Sequence, residues 1–258
     1  MCRVRAPARV TTPFKDHFSS YAGDYASFRP RYPRELFTWL ASVAPAREHA
    51  WDCATGSGQA AVALAEHFAR VTASDASPSQ LAHAERHARV TYVHARSEDG
   101  PLGDASADLV TIAQALHWFD LPHFYAQVRR VLRPRGVIAA WSYDLVVTDD
   151  AELDARIREI YEHVLGPYWP PERRDVENGY ANLAFPFERL TPPPLAMTAR
   201  WSFAQFTGYA KTWSAANAYR KQHGLDAIDA WAERAAPVWG NRERDVRWPL
   251  AVHAGRVG

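Results

Sequence analysis

Short apolar segments alternate with amphipathic segments over residues 49–141, and this alternation restricts the chain to few folds. Strand-like segments lie at residues 49–53, 71–75, 90–93, 107–113 and 137–141. Helix-like segments, with apolar residues on one side, lie at 33–41, at 59–70, from Ser77 onward and at 120–132. Strands that alternate with helices of about a dozen residues are typical of a doubly wound α/β fold with a parallel sheet.

Beyond residue 145 the pattern is less regular. Helices are predicted at 151–164, 203–215 and 218–235, and residues 166–194 are rich in proline and aromatic side chains. Two further strands, predicted at 197–201 and 246–252, bring the sheet to seven. The sequence therefore predicts one domain over residues 1–258, with a Rossmann-like, mostly parallel seven-stranded sheet and a helical, aromatic substrate cap inserted at 145–195.

The composition narrows the class of function. The 258 residues include 30 basic and 29 acidic side chains, so there is no basic excess with which to neutralise nucleic-acid phosphates. The two cysteines predict neither a disulfide framework nor a metal site. No apolar stretch approaches the ~20 residues that a membrane helix needs, and the first residues do not resemble a signal peptide. We therefore expect a cytoplasmic protein that binds neither nucleic acid nor a membrane.

Ligands of a doubly wound sheet bind beyond the carboxyl ends of its strands. The first predicted strand runs into Asp52-Cys53-Ala54-Thr55-Gly56-Ser57-Gly58-Gln59, a turn of small residues that enters a helix. Gly56 and Gly58 allow a ligand to approach the backbone closely. Asp75 ends the second strand, where a carboxylate can accept both ribose hydroxyls, or else cap the next helix. Ser97 and Glu98 follow the third strand within reach of an adenine ring, or form a solvated loop.

Two kinds of cofactor fit a glycine turn followed by an acid. Gly56-x-Gly58-x-x-Ala61 satisfies the dinucleotide fingerprint, which predicts an NAD(P)-dependent oxidoreductase. Asp52 argues against that interpretation, because another negative charge beside a pyrophosphate would be unfavourable. S-adenosylmethionine carries a sulfonium and an ammonium cation, so an acid beside the turn suits it. The residues thus favour S-adenosylmethionine and leave the dinucleotide as an alternative.

The same residues resemble those of class I S-adenosylmethionine-dependent methyltransferases. Within that class, Tyr25-Ala26-Ser27-Phe28-Arg29-Pro30-Arg31-Tyr32-Pro33 is similar to the N-terminal segment of the yeast-type trans-aconitate methyltransferase family. Three later segments are similar to signatures of that family: His117-Trp118-Phe119-Asp120, Gly166-Pro167-Tyr168-Trp169 and Thr212-Trp213-Ser214-Ala215. The resemblance spans about residues 14–253. One departure is Ala54, where the usual loop has glycine.

The resemblance implies a role for each matching residue. Asp52 and the backbone of residues 54–58, including Ala54, would hold the methionine part, Asp75 the ribose, and Ser97 with Glu98 the adenine. Tyr25 and Arg29, within a closing segment at 16–45, would cover the cofactor and pair with its carboxylate. Gln114 would border the reacting methyl group. The acceptor would face His117, Trp118, Tyr168, Trp169 and Trp213.

The acceptor decides whether a base is needed. A carboxylate, with a reference pKa of about 4, is already ionised at pH 7, and Arg31 or another arginine of the cap would anchor it. A phenol or an amine would need a base, for which His117 is the candidate, although a histidine beside two aromatic residues can equally be structural. The sequence therefore predicts a small-molecule methyltransferase, with methyl esters as one product. The alternatives are the oxidoreductase and a non-catalytic S-adenosylmethionine-binding protein.

Overall fold

The computed structural model describes residues 30–258. The first half contains α1 (Arg34–Val43), β1 (His49–Cys53), α2 (Gln59–Ala65), β2 (Arg70–Asp75), α3 (Pro78–His83), β3 (Val90–His94), β4 (Ala107–Ala113), α4 (Leu121–Val131) and β5 (Leu132–Tyr143). The second half contains β6 (Val147–Thr148), α5 (Ala151–Glu159), α6 (Arg173–Glu177), β7 (Glu188–Leu190), β8 (Ala196–Trp201), α7 (Phe203–Lys211), α8 (Ser214–His223), α9 (Ala227–Trp239) and β9 (Arg244–Arg256).

The strands form one mixed sheet in the order β3-β2-β1-β4-β5-β9. β1 to β5 run parallel to their neighbours, and β9 pairs antiparallel with β5. The predicted Rossmann-like α/β fold is confirmed. The described residues form nine strands rather than seven, because β9 is long enough to pair with β5 and β7 through one half and with β6 and β8 through the other.

Several element boundaries differ from the sequence-based prediction. The predicted helix 218–235 is two helices, because Gly224 ends α8 with a left-handed φ of +71° and Asp226 caps α9. α2 ends at Ala65, before the predicted residue 70. β5 begins at Leu132 rather than at the predicted residue 137, and residues 133–136 form an irregularity within it: Leu132 pairs with Ala107 and Val137 with Leu109.

The sheet is covered on both sides by apolar side chains. One buried cluster joins α1 and α2 to the sheet, and a second joins it to α4 and to Val176, Tyr180, Phe185 and Phe187. A third cluster contains buried side chains of α5, α7, α8 and α9, together with Trp248 of β9. More of the chain than 145–195 therefore packs beside the end of β5. Within residues 30–258, no helix is long and apolar enough to cross a membrane.

Candidate active site

The turn between β1 and α2 has an unusual backbone. Ala54, Gly56 and Gly58 all lie in the left-handed region, with φ of +55°, +55° and +82°. Ala54, which stands where the related loops have glycine, is therefore in a conformation that costs an L-residue roughly 1–2 kcal/mol. Gly58 is the N-cap of α2, and a Cβ there would overlap the hydroxyl of Tyr92. The turn tolerates alanine at 54 but has no room for it at 58.

We expect Gly58→Ala to lower the free energy of unfolding by about 2–4 kcal/mol, because it combines left-handed strain with displacement of a packed side chain. Gly224→Ala is the matched control. Gly224 has a similar φ of +71° and no atom within 4 Å of the added Cβ, so only the strain of about 1–2 kcal/mol remains. Urea unfolding of both variants measures the difference. Equal losses would show that Tyr92 moves aside.

Asp52, at the end of β1, is fully buried beneath this turn. Its two carboxylate oxygens accept hydrogen bonds from the hydroxyls of Thr55 (2.6 Å) and Thr111 (2.7 Å). Burial raises the pKa of Asp52 to about 6, against the effect of the two hydroxyls, and the nearby Asp75 raises it further. Asp52 therefore ties the turn to β4, and its predicted direct contact with a methionine group stays a prediction.

The raised pKa makes Asp52 a pH-dependent source of instability. Its pKa is near 6 in the folded state and about 3.8 in the unfolded state. Folding therefore favours the protonated form, and stability is lost as the pH rises through 6. Between pH 4 and pH 7.5, we expect wild type to lose about 2 kcal/mol relative to Asp52→Asn, which cannot ionise. Denaturant unfolding at a series of pH values measures this gap. A gap that is constant with pH would contradict the assignment.

Asp75, at the end of β2, also fixes the turn. Its oxygens accept the backbone N–H of Gly56 (2.9 Å) and of Ser77 (2.8 Å). The hydroxyl of Ser77 caps α3 by accepting from Gln80, so Asp75 is not needed as that cap. The carboxylate thus lies at the carboxyl end of the sheet beside the glycine turn, where its ribose role was predicted.

Ser97 and Glu98 form a short 3-10 turn after β3. The Ser97 hydroxyl donates to Oε1 of Glu98 at 2.9 Å, and Arg96 pairs with Oε2 at 3.3 Å. The backbone N–H of Asp120 donates to Glu98 at 3.4 Å. These contacts order the loop, and adenine binding by this pair stays a prediction. Tyr25 and Arg29 lie outside the described residues.

Gln114, the first residue after β4, lies between the turn and a neighbouring pocket. Its φ is +56°, and its backbone N–H donates to the carbonyl of Trp141 at 2.9 Å. Its side-chain amide donates to the carbonyl of Tyr143 at 2.9 Å. Strained backbone of this kind is frequent at functional sites. Since β4 neighbours β1, Gln114 stands beside the predicted cofactor turn and also lines the pocket.

The pocket is mainly aromatic. It is lined by Gln114, His117, Trp118, Tyr143, Asp144, Leu145, Tyr161, Trp169, Pro170, Arg173, Val176, Tyr209, Thr212, Trp213, Ser214 and Asn217. Segments distant in sequence thus meet at the end of β4 and β5. Four of the residues predicted to face an acceptor are brought together here: His117, Trp118, Trp169 and Trp213.

Two predicted substrate residues are not among those that line this pocket, and their contact with an acceptor stays a prediction. Arg31 forms an exposed ion pair with Glu85, at 3.0 Å. Tyr168 turns towards α8, where its hydroxyl is 2.6 Å from Nε2 of His223 and its ring packs against Tyr219. In both cases the motif was matched, but the side chain is directed to another partner.

Arg173, which the sequence analysis did not single out, provides a positive charge in the lining of the pocket. Its Nε donates to the hydroxyl of Tyr161 at 2.7 Å, and its Nη2 lies 3.4 Å from Oδ1 of Asp144. The guanidinium carbon is 5.0 Å from the centre of the Trp169 ring, so the cation also contacts an aromatic face. Burial raises the pKa of Asp144, and Arg173 opposes that shift.

His117 is held as a neutral ring. Its Nδ1 is 3.1 Å from the hydroxyl of the buried Tyr180, and the centres of the His117 and Trp118 rings are 4.6 Å apart. Burial, helped by the charge of Arg173, lowers the pKa of His117 to about 3. A group with so low a pKa is a weak base at neutral pH. The surroundings therefore favour the structural alternative, and catalysis by His117 stays a prediction.

The comparisons with known proteins agree with this geometry. A family described as "Methyltransferase domain" matches residues 51–140. A protein of Dictyostelium discoideum, provisionally named a methyltransferase, is 34% identical over 246 residues, which cover 94% of this chain and 93% of that protein. A solved structure from Anaeromyxobacter dehalogenans, provisionally described as a type II methyltransferase, is 49% identical, with a TM-score of 0.84, over 89% of this chain and 98% of that one. A Saccharomyces cerevisiae protein, also provisionally described as an S-adenosylmethionine-dependent methyltransferase, is 29% identical over 128 residues, 46% of this chain and 44% of that protein.

A Rossmann-like sheet with this turn after β1 and an acid at the end of β2 is typical of a class of cofactor-binding enzymes. This fold and site, together with relatives that match nearly the whole chain, identify the family to which the protein belongs. The chain belongs to the class I S-adenosylmethionine-dependent methyltransferases.

The residues present fit the cofactor of that family. Asp52 and Asp75 lie close enough for one carboxylate to raise the pKa of the other. A pyrophosphate would add two more negative charges to this pair, whereas a sulfonium or ammonium group would offset them. Asp52 thus argues against the dinucleotide alternative on electrostatic grounds, whereas an acid at the position of Asp75 suits the ribose of either cofactor. When bound, S-adenosylmethionine supplies an electrophilic methyl group.

Proposed function

We propose that this methyltransferase acts on a carboxylate of a small molecule and forms a methyl ester. The observation that carries the proposal is the position of Arg173, a largely buried guanidinium in an aromatic pocket that begins at Gln114. Arginine binds carboxylates through paired N–H donors. The resemblance to the trans-aconitate methyltransferase family supports the same chemistry.

The pocket is suited to a reaction that needs orientation more than proton transfer. A carboxylate oxygen forms the new bond to the methyl carbon, while the carbon–sulfur bond breaks and its electron pair stays on sulfur. The acceptor is already ionised at neutral pH, so no proton has to be removed. Arg173 would orient the acid, and the surrounding aromatic side chains would exclude water from it. A neutral His117 is compatible with this reaction because no base is required.

The remaining assignments are part of the same proposal. Asp52 and the turn at Ala54, Gly56 and Gly58 would support the methionine part, and Asp75 the ribose. Ser97 with Glu98 would bind the adenine, and Gln114 would border the methyl group. Tyr25 and Arg29 would close the site from the N-terminal side, with residues 145–195 as the substrate cap.

The first test is calorimetric titration with S-adenosylhomocysteine, with NADH in parallel. Micromolar binding of the first and none of the second is expected. The protein is then incubated with S-adenosylmethionine and a panel of carboxylic acids, each paired with its primary amide and its alcohol, and products are identified by mass spectrometry. Methyl esters from the acids alone support the proposal. Methylation of an amide or an alcohol but of no acid would overturn it. Binding without any turnover would favour the non-catalytic alternative.

A further inference from the structure

We propose that the preferred acceptor is an aromatic monocarboxylate, a flat and largely apolar molecule with one carboxylate, rather than a small tricarboxylic acid. The inference rests on the proposed function, because it names which carboxylates the site would accept. It differs from the substrate that the family resemblance alone would suggest. The carrying observation is a pocket with aromatic walls in which, among residues 30–258, Arg173 is the one arginine or lysine, and this cation already has an acidic neighbour.

The charge balance of the pocket suits one negative charge. Among the lining residues that the structure describes, Arg173 is the one arginine, and there is no lysine. His117 is neutral, since burial lowers its pKa to about 3. Asp144 stands 3.4 Å from the guanidinium and adds a negative charge whenever it is ionised. A tricarboxylate would leave two carboxylates without a cation in a partly desolvated site, which is costly.

The hydrogen bonds of Arg173 also restrict it to one acid. A guanidinium has five N–H donors, arranged along fixed edges. Its Nε donates to Tyr161, whose hydroxyl in turn donates to Oε1 of Glu177 at 3.0 Å. Its Nη2 contacts Asp144, whereas Nη1 has no protein partner within residues 30–258. The remaining donors fit one carboxylate.

The walls of the pocket favour a flat ring. Trp169 lies 4.7 Å from Tyr161 and 6.2 Å from Trp213, measured between ring centres, and Tyr161 meets Trp213 edge to face. Such ring pairs gain energy beyond simple burial, and an aromatic ligand can add further pairs of the same kind. An aliphatic tricarboxylate would bring polar groups to these faces.

Three acids separate shape from charge. Cinnamate is flat with one carboxylate, 3-cyclohexylpropanoate is its saturated counterpart, and trans-aconitate is an unsaturated aliphatic acid with three carboxylates. Binding is measured by calorimetry with S-adenosylhomocysteine present, and turnover by ester formation. We expect cinnamate to bind about tenfold more tightly than 3-cyclohexylpropanoate, and trans-aconitate to bind more weakly than both. Trp169→Leu should weaken cinnamate binding about tenfold, whereas Trp201→Leu, outside the pocket, should not.

The outcomes distinguish this inference from the proposed function. Tighter binding and faster methylation of trans-aconitate than of cinnamate would overturn the inference and leave carboxylate methylation standing. Equal binding of cinnamate and its saturated counterpart would also overturn it. If no acid is methylated or bound, the proposed function itself fails. Retained S-adenosylhomocysteine binding by the two tryptophan variants shows that they are folded.

Discussion

Replacing Asp75 by asparagine is expected to weaken S-adenosylhomocysteine binding by about 10–100-fold. The substitution keeps the shape of the side chain but removes the charge that would accept two ribose hydroxyls, and hydrogen bonds to a charged group contribute roughly 1.5–3 kcal/mol. It also places an amide N–H₂ opposite the backbone N–H of Gly56 or of Ser77, both of which now donate to the carboxylate. Both effects act on the cofactor turn, and calorimetric titration measures their sum.

Asp108→Asn is the matched control for this experiment. Asp108 is another buried carboxylate that accepts backbone N–H groups, from Glu48 and His49, and it also pairs with Arg133 at 2.7 Å. It lies near the start of β4, away from the carboxyl ends of the strands. We expect this variant to lose stability while its cofactor affinity stays within about twofold of wild type. Equal losses of affinity in the two variants would show that general destabilisation, and not the ribose contact, is being measured.

The fold, and the grouping of Asp52, Gly56 and Asp75 at one edge of the sheet, could be predicted because their signals are local. β1 to β5 are short buried segments, and in a parallel sheet the residues after each strand meet at one edge. This is why Asp52, Gly56 and Asp75, which are separate in sequence, could be expected together. The break between α8 and α9 was also available, since Gly224 followed by Asp226 is a helix end and a new cap.

The acceptor side could not be predicted in the same way. Arg173 is one of 27 arginines, and its place depends on how α6 packs against Tyr161 and Asp144, which lie 12 and 29 residues away. No spacing rule connects these positions. Arg31 belongs to a recognisable motif, but a motif does not say which partner a long side chain will meet, and here the partner is Glu85.

Replacing Arg173 by glutamine should raise the KM for the best carboxylate substrate by about 30–150-fold. The expected loss is roughly 2–3 kcal/mol, because the variant keeps a hydrogen-bonding group but lacks the charge and the forked donors that pair with a carboxylate. Lysine restores the charge without the fork, so Arg173→Lys should recover only part of the loss. S-adenosylhomocysteine affinity should be unchanged, because Arg173 lines the acceptor pocket rather than the turn after β1.

Arg174→Gln controls for the loss of one positive charge from α6, because Arg174 is the exposed neighbour of Arg173 and does not line the pocket. This variant should keep the wild-type KM, and its far-UV spectrum and melting temperature report whether α6 is intact. Steady-state kinetics of Arg173→Gln, Arg173→Lys and Arg174→Gln then show whether the KM depends on a direct contact of Arg173 with the acid or only on the positive charge of α6. If Arg173→Gln and Arg174→Gln raise the KM equally, long-range electrostatic attraction of the acid explains the effect, and the proposed direct contact between Arg173 and the carboxylate is contradicted. A fall in kcat at unchanged KM would show that Arg173 orients the acid for methyl transfer and contributes little to its binding.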